Sequence, residues 1–345
     1  MEENKGYGAS VRERLELTLT ALLPGALALL HPVTVRAGRL SWLCPVLALP
    51  VGLWLCALWR ELGAEDLPRG LERAFGHFLG KVCQLLYFLW ALVLLTESAG
   101  RYAARLMTTT EGEQARWLFL LAALGLCLWL SRGTGAVLAR TGKLFFLATG
   151  VVLALILLLA LPAVDWKNLW PPEEADLWGL LPGAGLCLSL SGYGIYALCL
   201  PRRLDSGMKS WPWTVWACGV FAALLFIVVG AFGPALTLRM RDPFLYLLEG
   251  VRVPGAFQRG EAALVAVLAL GDITLLALLT RGALTLWWEL TPGWKGGELW
   301  VLFAFLAAGV LPVGAAERWL PVGSLLLGII LPALAVLTGK LRKRK

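Results

Sequence analysis

Apolar residues in this chain come in runs of about twenty, broken by short clusters of Arg, Lys, Asp, Glu, Pro and Gly. Within each run they cover every face of a helix, whereas an amphipathic helix on a soluble core keeps a polar stripe. About twenty such residues cross the roughly 30 Å hydrocarbon core of a bilayer. The pattern predicts about ten transmembrane helices, near residues 15–35, 41–59, 80–107, 116–131 and 143–162, then 179–199, 212–236, 261–288, 298–314 and 320–339. The fold class expected is an all-α integral membrane protein, with 1–345 as a single transmembrane domain.

The runs divide five and five around the Pro-rich, acidic stretch Asp165 to Glu174, giving one repeat over 15–162 and a second over 179–339. Span one contains Leu22-Leu23-Pro24-Gly25-Ala26, and span six contains the same pentapeptide as Leu180-Leu181-Pro182-Gly183-Ala184. Pro and Gly at matching places in two halves point to inverted repeats whose first helices are discontinuous, with freed backbone groups lining a midplane site. Pro24, Gly25, Ser191 and Gly192 are then candidate binding residues, and spans one and six are expected to break at them. Chance recurrence of the pentapeptide, and helix packing through small residues, remain alternatives. The run Ser191-Gly192-Tyr193-Gly194 has the look of a potassium-channel filter, but it is a lone copy with no evident pore helix before it.

Composition agrees with a membrane protein: 59% of residues are hydrophobic, 16% are charged and the mean hydropathy is +0.73, against about 25% charged in soluble domains. The net charge of +8 follows the positive bias of cytoplasmic loops. With the N-terminus inside, 20 of the 31 Lys and Arg residues fall on the inner side and 11 on the outer, so both termini are expected in the cytoplasm. Trp42, Trp59, Trp166, Trp170, Trp178, Trp211 and Trp213 lie near span ends, as interfacial aromatics do. The seven cysteines stand singly in apolar stretches, with no metal-site spacing and no disulfide framework expected. The polar lead before the first run, with Glu16 and Pro24-Gly25 inside it, fits a retained span better than a cleaved signal peptide.

Ionisable residues inside apolar runs are costly, and so are functional candidates. Asp272, in Leu270-Gly271-Asp272-Ile273-Thr274, is the deepest by sequence and could hold a proton or an ion, or be a paired structural carboxyl. Glu97, Arg101 and Arg105 recur every fourth residue on span three and share one helical face, where Glu97 and Arg101 can pair. His31, before Pro32 at the end of span one, reads as an interfacial side chain. No nucleophile and base combination for hydrolysis stands out. No catalytic residues, no metal site and no cofactor are expected, and the chain is not expected to be an enzyme.

Several short patterns carry a resemblance. They are Gly25-Ala26 followed by Pro32, Tyr87-Phe88-Leu89 leading to Glu97, Arg132-Gly133-Thr134-Gly135 through Arg140, Gly192 to Pro201, and Asp242-Pro243 through Arg259-Gly260-Glu261. Together they resemble the B subunit of spore germinant receptors, the GerAB-type germination permeases of the amino acid/polyamine/organocation transporter superfamily. Two places depart from the family pattern. Tyr193 and Gly194 stand where an acidic residue is frequent, and Ala269 and Gly271 stand where span eight is commonly aromatic; both bear on the ligand's identity.

The resemblance implies a LeuT-like five-plus-five bundle binding a small nutrient, an amino acid or sugar, between spans one, three, six and eight. It adds Tyr87 and Tyr193 to Pro24, Gly25, Ser191 and Gly192 as substrate-binding candidates. It further implies A-type and C-type (lipoprotein) partner subunits in the spore inner membrane, to which the chain signals germination, and no nucleic acid. The alternative is a proton- or sodium-coupled amino-acid permease with Asp272 as the coupling group.

Overall fold

The computed structural model describes residues 10–62, 66–107, 114–200, 211–240, 242–250, 260–294 and 296–343. The lead before Ser10, Pro201, Arg259 and the last two basic residues lie outside the described residues.

Helix begins where Ser10 caps α1 (Val11–Ala37): its Oγ accepts from Glu13 N at 3.2 Å while Glu13 Oε2 accepts from Ser10 N at 2.9 Å, a reciprocal capping box. Gly38, at φ +47°, ends the helix, and the tight turn Gly38–Leu43 leads into α2 (Cys44–Leu62). Then follow α3 (Leu67–Phe75), α4 (His77–Met107), α5 (Gln114–Arg132) and α6 (Gly135–Ala160). The second half holds α7 (Glu174–Leu188), α8 (Ser191–Gly194), α9 (Trp211–Thr237), α10 (Pro243–Gly250), α11 (Gly260–Leu290), α12 (Gly297–Val310), α13 (Leu320–Leu325) and α14 (Leu331–Lys343). No strand occurs among the described residues.

Each of the ten expected runs falls on helix, although the ninth, 298–314, extends four residues past the end of α12 at Val310. Among the described residues eight apolar stretches are long enough to cross a membrane, the first of them, Val11–Leu62, containing both α1 and α2. At 14 residues α12 is the short one, about 21 Å at 1.5 Å per residue. Two short helices were not expected. In α3, Leu67, Leu71 and Ala74 turn inward while Arg69 and Arg73 stay exposed, the one-sided pattern of a helix lying against the bundle. The other, α10, follows the sharp bend at Gly233 (φ +71°) and Pro234 in α9.

Span one does not break. α1 runs unbroken through Pro24 and Pro32, a correction to the discontinuity expected there. Pro24 has no N–H to offer the Thr20 carbonyl, but α11 packs so closely at that point that a Cβ on Gly271 would sit 3.5 Å from Thr20 O and 3.6 Å from Pro24 Cγ. Neighbouring helices let proline persist in such helices. Span six does leave the α geometry, seven residues after Pro182. α7 ends at Leu188, and the chain tightens through Ser189 and Leu190 into α8 and a 3-10 turn over Ile195–Cys199. Backbone bonding continues across this change, with Gly192 N on Ser189 O at 3.0 Å and Tyr193 N on Leu190 O at 3.1 Å.

Burial locates the centre. Of the most apolar stretch of α11, 72% is buried, against 22% for that of α6. α11 is wrapped by α1, α4, α5 and α6, and much of α6 faces outward to lipid.

Candidate functional site

α1 meets α8 through Gly25, where a Cβ would come 3.0 Å from Leu190 Cδ2 and 3.7 Å from Tyr193 Cε2. On the same helix Pro24 touches α11 beside Gly271, one residue before Asp272. The structure thus gathers Pro24, Gly25, Tyr193 and the turn carrying Asp272 around one crossing. Ser191 and Gly192 belong to a different contact. A side chain on Gly192 would run into Ser324 of α13, and one on Gly328 would come 2.8 Å from Gly192 N. Tyr87 is also committed elsewhere: its hydroxyl donates to Leu327 O at 2.6 Å, a carbonyl of the π-helical turn Leu326–Ile330. Tyr196 then donates to Tyr87 O at 2.8 Å, its ring edge-on to that of Tyr87.

Beside the crossing lies a buried set of charges. Glu97 Oε1 accepts from Arg101 Nε at 3.2 Å and from Gly314 N at 2.8 Å, so the pair read from the four-residue spacing is present. Arg105, one turn on, bonds Asp272 of α11 in an ion pair whose members are 9% and 3% exposed. Asp272 therefore faces the interior. The nearby Thr274 hydroxyl donates to Leu270 O at 2.7 Å. The Tyr193 ring end lies within electrostatic reach of Arg101 and Glu97. Ions held out of water need good geometry to offset their desolvation, and here each carboxylate has a guanidinium on α4. Cationic and anionic groups side by side suit a ligand carrying both charges, with Tyr193 offering a hydroxyl.

Sequence reading missed two features. Arg281, inside the apolar run of α11, donates to Ser131 O and, at 3.2 Å, to Gly133 O, and so ties α11 to the α5–α6 turn; its charge in an apolar run was the available signal. The second is a cavity of about 320 Å³ walled by α1, α2, α6, the α7–α8 segment and α9. Of the expected site residues, only Ser191 lines it. Among the described residues no group of three His, Cys, Asp or Glu side chains is placed to hold a metal.

At the end of the bundle covered by α3, Glu72 accepts from Lys81 Nζ at 3.0 Å and Gln84 Nε2 at 3.1 Å. Partial burial acts to raise its pKa, but these bonds and the charges of Lys81 and His77 outweigh it and hold the carboxyl below its ordinary value. Burial instead raises the Asp66 carboxyl, against the pull of Arg69 and Arg14.

Apolar helices with ion pairs sealed among them define a multi-pass membrane protein. The chain belongs to the spore germination protein family: the family's spore permease model matches residues 18–287. No curated protein matches it. Among solved structures, it is similar to crystal structures of mutants of the Eremococcus coleocola manganese transporter. One is 16% identical, with a TM-score of 0.47, and covers 93% of this chain and 74% of that one; another is 17% identical with the same score and coverage.

Proposed function

We propose that this chain is the membrane subunit of a spore germinant receptor, binding a small nutrient at the α1–α8–α4–α11 crossing and passing the resulting change of shape to A-type and C-type partner subunits. It sits in the spore inner membrane with both termini in the cytoplasm, and it works by binding, without covalent chemistry. The observation that carries this reading is the buried Glu97–Arg101 and Arg105–Asp272 set beside Tyr193, in a chain of the spore germination family. Facing charges favour an amino acid over a sugar, its carboxylate toward Arg101 and its ammonium toward Glu97. Both carboxylates are held by arginine, which suits a sensor more than a proton carrier: a sensor needs only different affinities in two shapes. Moving a two-state equilibrium from 1:99 to 99:1 takes about 5.5 kcal/mol of preference, within reach of a few charge-assisted bonds.

The test is spore germination and vegetative uptake measured side by side for Arg101→Gln and Tyr193→Phe. Loss of the spore response with uptake by growing cells unchanged is expected. Loss of uptake with germination intact would replace the receptor by the coupled permease, with Asp272 as its coupling group.

A further inference from the structure

The cavity between α1, α2, α6, the α7–α8 segment and α9 stands apart from the charged crossing and has a different chemistry. Its wall is apolar over most of its area, with Leu23, Ala26, Leu55, Leu153, Phe221 and Leu224 among the lining side chains. It runs beside α2 from Pro45 to Arg60, about 22 Å at 1.5 Å per residue. That is several times the length of an amino acid or a simple sugar and matches an extended acyl chain. On the α6–α9 side, Phe146 packs on Trp216 and Trp213 at 5.5 and 6.2 Å between ring centres.

One end carries the polar groups. Val11 and Arg14 belong to the first turn of α1, Arg60 to the last turn of α2 and Trp213 to the first turn of α9, and all four line the cavity. Arg and Trp at helix ends mark the membrane surface, so the cavity opens where lipid headgroups lie. Arg14 Nη2 donates to Ala197 O at 2.7 Å, which fixes that guanidinium at the mouth, and Arg60 is exposed there.

We propose that this cavity is a binding site for an anionic phospholipid, one acyl chain lying along α2 and the phosphate held by Arg14 and Arg60. Basic pockets between transmembrane helices recognise anionic headgroups in this way. Because the cavity shares α1 and the α7–α8 segment with the nutrient crossing, lipid occupancy bears on the same two elements. The proposal does not rest on the nutrient reading and can be tested without a nutrient.

The experiment is native mass spectrometry of the full chain released from micelles containing equal amounts of phosphatidylglycerol and phosphatidylcholine. The expected result is preferential retention of phosphatidylglycerol, falling about fivefold in Arg60→Gln. In Gly150→Leu the retained lipid should be lost, because Gly150 lines the cavity and a Cβ there meets open space, so the added side chain fills the void without a clash at its base. Equal retention of the two lipids by the unmodified chain would overturn the proposal. So would a preference unchanged in both variants, since the lipid would then sit elsewhere. Displacement by glycerol 3-phosphate would show a headgroup site without a chain, and oleate retained in place of phosphatidylglycerol would assign the cavity to free fatty acids; either result rejects the phospholipid.

Discussion

The pentapeptide Leu-Leu-Pro-Gly-Ala occurs twice, and its two copies have opposite surroundings. In α1, Leu23, Pro24, Gly25 and Ala26 are all buried, Pro24 against α11, Gly25 against α8, and Leu23 and Ala26 on the wall of the apolar cavity. In α7, Leu181 is 81% exposed and Pro182 is exposed as well, while Gly183 turns in against Cys44 of α2. Neither copy unwinds its helix. A proline removes one donor; whether the helix then opens depends on what packs against the bare carbonyl. The first copy helps to build the charged crossing, and the second anchors α7 on the rim of the bundle.

The charges beneath the first copy should give the largest contrast. Asp272→Ala strips Arg105 of its buried carboxylate and should cost about 3–5 kcal/mol, read as a large drop in detergent melting temperature. Replacing Arg105 by Gln in the same chain should recover part of the loss, because the remaining ion is then gone. A melting temperature unchanged in Asp272→Ala would mean that the crossing is not a stabilised charge site.

The leucines test the two copies directly. Leu23→Ala removes a buried side chain and enlarges the cavity that it lines, and should cost about 2 kcal/mol, whereas Leu181→Ala, on the outer face, should stay within about 0.5 kcal/mol. Equal losses would erase the distinction between centre and rim. A smaller effect belongs to glycine. The methyl of Gly25→Ala meets Leu190 Cδ2 at 3.0 Å, the end of a flexible side chain, while that of Gly185→Ala meets nothing within 4 Å. The first should lower ligand affinity a few-fold by shifting α8, and the second should leave it unchanged; titration of the proposed amino acid against both variants decides.

The smallest effect lies away from both copies, at Glu72. Its folded pKa is held below the ordinary value by Lys81 and Gln84 against partial burial. Its contribution to stability is therefore complete above the unfolded carboxyl value of about 4.3 and is lost as pH falls through the depressed folded value. Melting curves from pH 6 downward should show a shallower acid loss in Glu72→Gln than in the unmodified chain. Identical acid limbs would remove Glu72 from the account.

Much of the candidate site was legible in the sequence. Asp272, Glu97, Arg101 and Arg105 stand out as ionisable residues in apolar runs, and the four-residue spacing gives the Glu97–Arg101 pair. The Arg105–Asp272 pair was not legible, because its members are 167 positions apart and no local pattern links α4 to α11. Tyr87 and Ser191 resemble their neighbours as binding candidates in sequence, yet one is bonded to the π-helical turn and the other lines the apolar cavity.

The sequence by itself determined that this chain is a bundle of membrane helices and roughly where the ten long apolar runs lie, because apolar length acts within a few turns. It could not determine that α1 stays continuous through Pro24, that Asp272 meets Arg105, or that a cavity opens between α1, α2, α6 and α9. Those are outcomes of packing between helices distant in the chain, where a bare carbonyl, a buried charge or an unfilled volume is settled by whichever neighbour the fold brings to it.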